Sequence, residues 1–199
     1  VALDMAKNVK DRAIRLIAIN KVKDEDLLRD AALNSQFFDV RSFAWERLGE
    51  NNKSIAEIVI NTKKNPHVDD IFNKVVDEET LKWIAIEADD KRYRTQAIEK
   101  IDSADILYDL VFESKDKSIR RAAVLKDSFV SEDVLKKVAI EDKDEDVKKA
   151  AINKIKNEDN LAQIAQNEDN AKIRSLIFDK ITDPEILKSI VLNSQKSDV

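Results

Sequence analysis

Seven basic residues recur at a near-constant spacing: Lys21, Arg47, Lys74, Lys100, Lys126, Lys154 and Lys180, each close to the end of a helix that the apolar pattern predicts. A second basic set, Arg15, Arg41, Arg94, Arg120, Lys148 and Arg174, recurs where the same helices begin. Stacked in register, such cations form stripes able to follow a phosphate backbone or an acidic peptide. They also have an internal use. A lysine in the last turn of a helix complements the helix dipole. Asp11, Asp90, Asp116, Asp144 and Asn170 each lie four residues before a member of the second set, which places each pair on one helix face as a structural ladder. The internal use is favoured for both columns, and the lysine column stays a candidate binding surface.

Other candidate chemistry is sparse. Phe37 and Phe38 fall in a turn before a helix and form the best exposed apolar contact. Trp45, Trp83, Tyr93 and Tyr108 could anchor a partner, but their positions beside apolar stripes predict partial burial between repeats. His67 is the only histidine, and with no cysteine in the chain nothing completes a zinc site around it and the nearby Asp69 and Asp70. The acidic run from Glu141 to Asp146 lacks the glycine of a calcium loop and is read as a solvated turn. There is no glycine-rich phosphate loop and no serine, histidine and aspartate set at recognisable spacing. No catalytic residue, metal or cofactor is therefore assigned, and no small-molecule substrate is expected.

The elements that position these residues are helices. Among 199 residues Gly49 is the only glycine, Pro66 and Pro184 are the only prolines, and 43% of the chain is hydrophobic. That composition supports a core and lacks the punctuation of tight hairpins. The net charge of -5, from 35 basic and 40 acidic side chains, argues against a general polyanion binder. No apolar run reaches a membrane span and the first 20 residues are too charged for a secretory signal, so a soluble, cytoplasmic protein is expected.

Two apolar columns share one period. Ile14, Val40, Tyr93, Ile119, Val147 and Ile173 open a first segment; Leu28, Ile55, Leu81, Leu107, Leu135, Leu161 and Leu187 open a second. From Ile14 to Ile173 six steps average about 26 residues. Within a copy Val147, Ala150, Ala151 and Ile155 keep helical spacing, as do Leu161, Ile164 and Ala165. Helices of roughly ten residues are marginal alone, so stability must come from stacking. Two copies depart: the third reads Asn65-Pro66-His67-Val68-Asp69-Asp70, and in the fifth Asp127 replaces the isoleucine, with Phe129 placed to fill the gap.

The pattern Asp-x-x-Ile/Val-Arg/Lys-x-Ala-Ala-x-x-Lys-Ile followed by Leu-x-x-Ile-Ala resembles HEAT-like repeats, best in Asp116 to Ala139 and Asp144 to Ala165. It is close to the leucine-rich repeat variant type, from which the scarcity of glycine and proline sets it apart. The resemblance implies an all-α fold, an armadillo-type α-α superhelix or solenoid of about seven short two-helix repeats, over residues 1–199 as a single domain. Such families serve mostly macromolecular recognition, so a non-enzymatic scaffold binding a protein or peptide along the concave face formed by one helix layer is expected. Nucleic-acid binding through Lys21 to Lys180 is the alternative, ahead of a helical-repeat DNA glycosylase. The last residues, Asn193 to Val199, echo Asn34 to Val40, and Ala2 to Ala6 reads as the second helix of a preceding copy, so a segment of a longer array is expected.

Overall fold

A computed structural model describes residues 1–48, 52–61 and 67–194. Gly49, Pro66 and the final residues of the terminal echo lie outside them. The described residues form fifteen α-helices and no strand. The chain divides into two compact units, Val1–Ile101 and Asp102–Val199. The first holds α1 (Ala2–Asn8), α2 (Arg12–Asn20), α3 (Glu25–Asn34), α4 (Phe38–Leu48), α5 (Asn52–Asn61), α6 (Val68–Asn73), α7 (Glu78–Glu87) and α8 (Lys91–Lys100). The second holds α9 (Ala104–Glu113), α10 (Lys117–Leu125), α11 (Glu132–Glu141), α12 (Glu145–Lys154), α13 (Glu158–Asn167), α14 (Ala171–Lys180) and α15 (Pro184–Ser194).

Odd-numbered helices pack on odd-numbered neighbours and even on even in several places, as α5 with α7 and α2 with α4 in the first unit, α11 with α13 and α10 with α12 in the second. Each unit is thus two helix layers thick. The phase of the repeat differs from the sequence expectation. The columns grouped α2 with α3, and α12 with α13; the closest packing instead joins α3 to α4, α7 to α8 and α11 to α12. Fully buried alanines explain the tight approach, with Ala31 and Ala32 on α3, Ala44 on α4, Ala85 on α7 and Ala97 on α8.

Helix starts follow sequence. The Asp77 side chain accepts from Thr80 N–H and Asn157 from Asn160 N–H, while Ser131 makes no side-chain cap bond. Pro184 takes the first position of α15, where its missing N–H costs nothing. Helix ends are unusual. Ser35, Ile101, Ser114, Asp142, Ile155, Glu168 and Ile181 all close their helices in an extended conformation. With one glycine in the chain, no described end uses the left-handed cap that would satisfy the last carbonyls. Those carbonyls need another donor.

Column residues Leu28, Leu81, Leu107, Leu135 and Leu161 are buried, as is Phe129, whereas Asp127 is exposed. Ile14 is a correction. It is 42% exposed, with Ile17 beside it at 60%. α2 packs on α1 and α4, and among the described residues no even-numbered helix covers its other side.

Candidate functional site

The two cation columns point at helix ends. The Arg47 guanidinium donates to the carbonyls of Ile19, Asn20 and Val22 at the end of α2, at 3.2, 3.0 and 2.5 Å. Lys100 Nζ reaches Phe72 O and Asn73 O at the end of α6. Lys154 Nζ is surrounded by Val124 O at 3.0 Å, Lys126 O at 2.5 Å and Phe129 O at 2.6 Å beyond α10, and Lys180 Nζ reaches Asn153 O on α12 at 2.8 Å. Each cation caps the even-numbered helix one repeat behind its own. Burial holds the Lys100 and Lys154 ammonium groups below the ordinary lysine range, with Asp127 opposing the shift at Lys154. Lys126 pairs with the exposed Asp102 carboxylate at 3.2 Å. Lys21 is exposed, and Lys74 lines a cavity described below.

The second column caps the odd layer. Arg15, Arg41, Arg94, Arg120 and Arg174 donate to the carbonyls of Val9, Ser35, Ala88, Ser114 and Glu168, each six residues earlier. Three members also reach forward to a carboxylate of the following repeat: Arg15 to Asp39, Arg120 to Asp142 and Lys148 to Glu168, each at 2.8 Å. The expected pairing with the acid four residues earlier is not the main contact. Asp11, Asp90, Asp116 and Asp144 are N-caps whose side chains accept backbone N–H groups. The reason is steric: an N-cap carboxylate turned back onto its own first turn faces away from a side chain aimed at the preceding helix end. Asp144 still ties repeats together, through Lys117 at 2.9 Å.

These ties make stability fall in acid. Burial pushes the Glu168 carboxyl up, but the Lys148 ammonium and the Asn170 N–H outweigh it and hold it below its ordinary 4.5. Lys117 lowers Asp144, and Thr182 with the Asp183 N–H lowers Glu158. The unfolded chain binds protons on these groups at higher pH than the folded one, so their contribution is complete above the ordinary values and is lost as pH drops through the folded ones. The midpoint of urea unfolding is expected to be level from pH 7 to about 5 and to fall below that. A midpoint that climbs on acidification would overturn this account.

Phe37 and Phe38 separate. Phe37 is half-buried with the Arg15 guanidinium 3.9 Å from its ring centre, whereas Phe38 is 65% exposed. Phe38 stands at a cavity of about 230 Å³ between α4 and α6, which Trp45, His67 and Lys74 also line. Trp45 and Tyr93 are buried, the Tyr93 hydroxyl donating to Asp69 at 2.6 Å; burial and that carboxylate raise its pKa well above the tyrosine range. Trp83 is half-buried and Tyr108 is 38% exposed. A larger cleft of about 710 Å³ runs beside the turn after α11, and among its lining residues Lys117 pairs with Asp144 and Arg120 with Asp142.

One surface column escaped the sequence reading. Five residues after each leucine-column position stand Leu33, Ile60 and Ile86 in the first unit, Phe112 and Ile140 in the second. Ile86 is 36% and Ile140 42% exposed, and the other three are half-buried. The signal was present, since an outward helix position is ordinarily polar, and Gln166 alone of the described copies obeys that. Basic side chains stand one turn earlier: Arg29 before Leu33, Lys82 before Ile86 and Lys136 before Ile140. Among the described residues there is no cluster able to hold a metal ion and no helix long and apolar enough to cross a membrane. The chain matches no known family model and no curated protein.

Proposed function

We propose that this chain is a non-enzymatic helical-repeat scaffold of the HEAT-like, superhelical kind, binding a protein or peptide partner along the outer face of its odd-numbered helices. The observation that supports it is the recurrent apolar column of Leu33, Ile60, Ile86, Phe112 and Ile140 on faces where solvated helices carry polar residues. Ile86 and Ile140, one in each unit, are the exposed aliphatic members of that column, and such side chains serve as contacts for a ligand. The nucleic-acid alternative is weakened, because Arg47, Lys100, Lys154 and Lys180 direct their donors into backbone carbonyls.

Panning a random peptide library against the immobilised protein tests the reading. Selected peptides are expected to lose at least about tenfold in affinity on Ile86→Asp or Ile140→Asp, a contact worth about 1.4 kcal/mol. Both substitutions should leave the urea midpoint nearly unchanged, since the sites are exposed. If no sequence is enriched, or the variants bind as the parent does, the proposal fails. A parallel titration with duplex and single-stranded DNA at two salt concentrations should show no binding, and steeply salt-dependent binding would support the alternative.

A further inference from the structure

The first unit exposes positions at one edge that every other repeat buries. In the odd layer the place three residues after the leucine column is held by Ala31, Ile58, Ile84, Leu110, Val138 and Ile164, each at most 4% exposed; on α1 the same place is Met5, at 41%. In the even layer Val40, Tyr93, Ile119, Val147 and Ile173 are buried as deeply, whereas Ile14 on α2 is at 42%. Both exceptions stand on the first helix of their layer, and Ile17, one turn along α2 from Ile14, is exposed as well. The edge of α1 and α2 is thus a repeat interface with one half present.

Its polar groups are unspent too. Arg47, Lys100, Lys154 and Lys180 cap the even helix one repeat behind their own. Lys21 has no such helix behind it among the described residues, and there it is exposed and makes no hydrogen bond or ion pair. At the other end of α2, Asp11 gives Oδ1 to the Ile14 N–H at 3.1 Å, which leaves Oδ2 for a cation. Arg12, the other cation at that end, turns to Asp39 of its own chain at 3.8 Å.

Asp11, Ile14, Ile17 and Lys21 are spaced three, three and four residues apart, so they share one helix face, with an acid at its start, a base at its end and two isoleucines between. A face of that pattern complements its own copy turned end for end. A two-fold axis at Leu16, midway between Asp11 and Lys21, sets each Asp11 opposite Lys21 of the other copy and brings each Ile14 to the turn that carries Ile17 of the other. The helix dipoles then oppose each other, which is their favourable arrangement.

We propose that two copies of this chain pair through this edge, α2 lying antiparallel on α2 of the second copy, with Met5, Ile14 and Ile17 of both inside the contact. The pairing is isologous and uses up the edge, so it closes at two copies. It shares no residue with the column from Leu33 to Ile140 and stands apart from the scaffold reading.

Sedimentation velocity of the full chain over a range of concentrations should show passage from one copy to two and no larger species. Ile17→Asp is expected to raise the dissociation constant by at least about a hundredfold, because a two-fold interface loses each contact, worth about tenfold, twice. Lys21→Glu, which turns both attractions to Asp11 into repulsions, should raise it by about tenfold, and Lys188→Glu, the same charge change on α15, should leave it unchanged. Both altered edge positions are exposed, so the urea midpoint of either variant, taken where the parent is a single copy, should match the parent's. The chain has no cysteine, so Ile17→Cys introduces one thiol, and mild oxidation should link two copies far faster than it links Val191→Cys. A chain that stays single at millimolar concentration overturns the proposal and leaves the edge to a different protein. Species larger than two copies, a dimer indifferent to Ile17→Asp, or equal rates of linkage for the two cysteine variants overturn it as well.

Discussion

Asp142→Ala is expected to lower stability by about 3 kcal/mol, the largest single effect anticipated for this protein. Asp142 is the C-cap of α11 and its side chain is only 7% exposed. It accepts from Arg120 Nε at 2.8 Å and Nη2 at 3.0 Å, and its Oδ1 also takes the Asp144 N–H at 2.8 Å. Bidentate geometry of this kind is the strong form of the arginine–carboxylate pair. That hydrogen bond is the main reason the Arg120 pKa is raised. Removal of the carboxylate strands a guanidinium that is 14% exposed and already committed to Ser114 O and Lys115 O, and it frees the N–H that starts the next helix. A buried charge without its partner is worse than no charge, so Arg120→Met combined with Asp142→Leu should recover much of the loss. Urea unfolding of the parent, Arg120→Met, Asp142→Leu and the double variant, taken as a double-mutant cycle, measures the coupling. A loss under about 0.5 kcal/mol for Asp142→Ala, within the range of an exposed pair, would show that the tie is slack.

The contrast with other ion pairs explains why the sequence announced a ladder without revealing its rungs. Asp116 and Arg120 are four residues apart and look like a helix-face pair. In the structure Asp116 accepts the Ser118 N–H as N-cap, and the Arg120 guanidinium crosses to Asp142, 22 residues on. Local spacing is blind to such a crossing because it depends on how repeats stack. The repeat period, the helix starts and the buried leucine column follow from local patterns and were legible. The pairing of α3 with α4 rather than α2 with α3 was not, since either grouping satisfies the same periodicity. The cavity between α4 and α6 was partly announced by the irregular third repeat around His67, but the shortness of α6 beside it was not.

Composition also held a clue to the lysine column. A helix that ends without glycine in the left-handed conformation leaves carbonyls that must find donors or water. One glycine cannot close fifteen helices, so cations recurring once per repeat near helix ends have an acceptor population waiting for them. The column of seven lysines and arginines is as regular as the helix ends, which Arg47, Lys100, Lys154 and Lys180 serve, and regularity alone does not distinguish a ligand groove from a set of caps. What distinguishes them is the direction of the side chain.

That direction makes a graded prediction for the lysine column. Lys154→Met keeps the length and apolar stem of the side chain but withdraws the ammonium from the carbonyls of Val124, Lys126 and Phe129, and it should cost about 2–3 kcal/mol of stability. Lys180→Met loses one such bond, to Asn153 O, and should cost about 1 kcal/mol. Urea unfolding of the full chain ranks the two. A column built as a ligand groove would behave in the opposite way: its members would contribute little to folding and comparably to affinity for a polyanion, because each phosphate neutralised adds a similar increment. Equal and negligible stability losses at Lys154 and Lys180 would therefore refute the capping role. A ranking that follows the carbonyl contacts would mean that the most regular charges on this protein serve to close helices that have no glycine to close them.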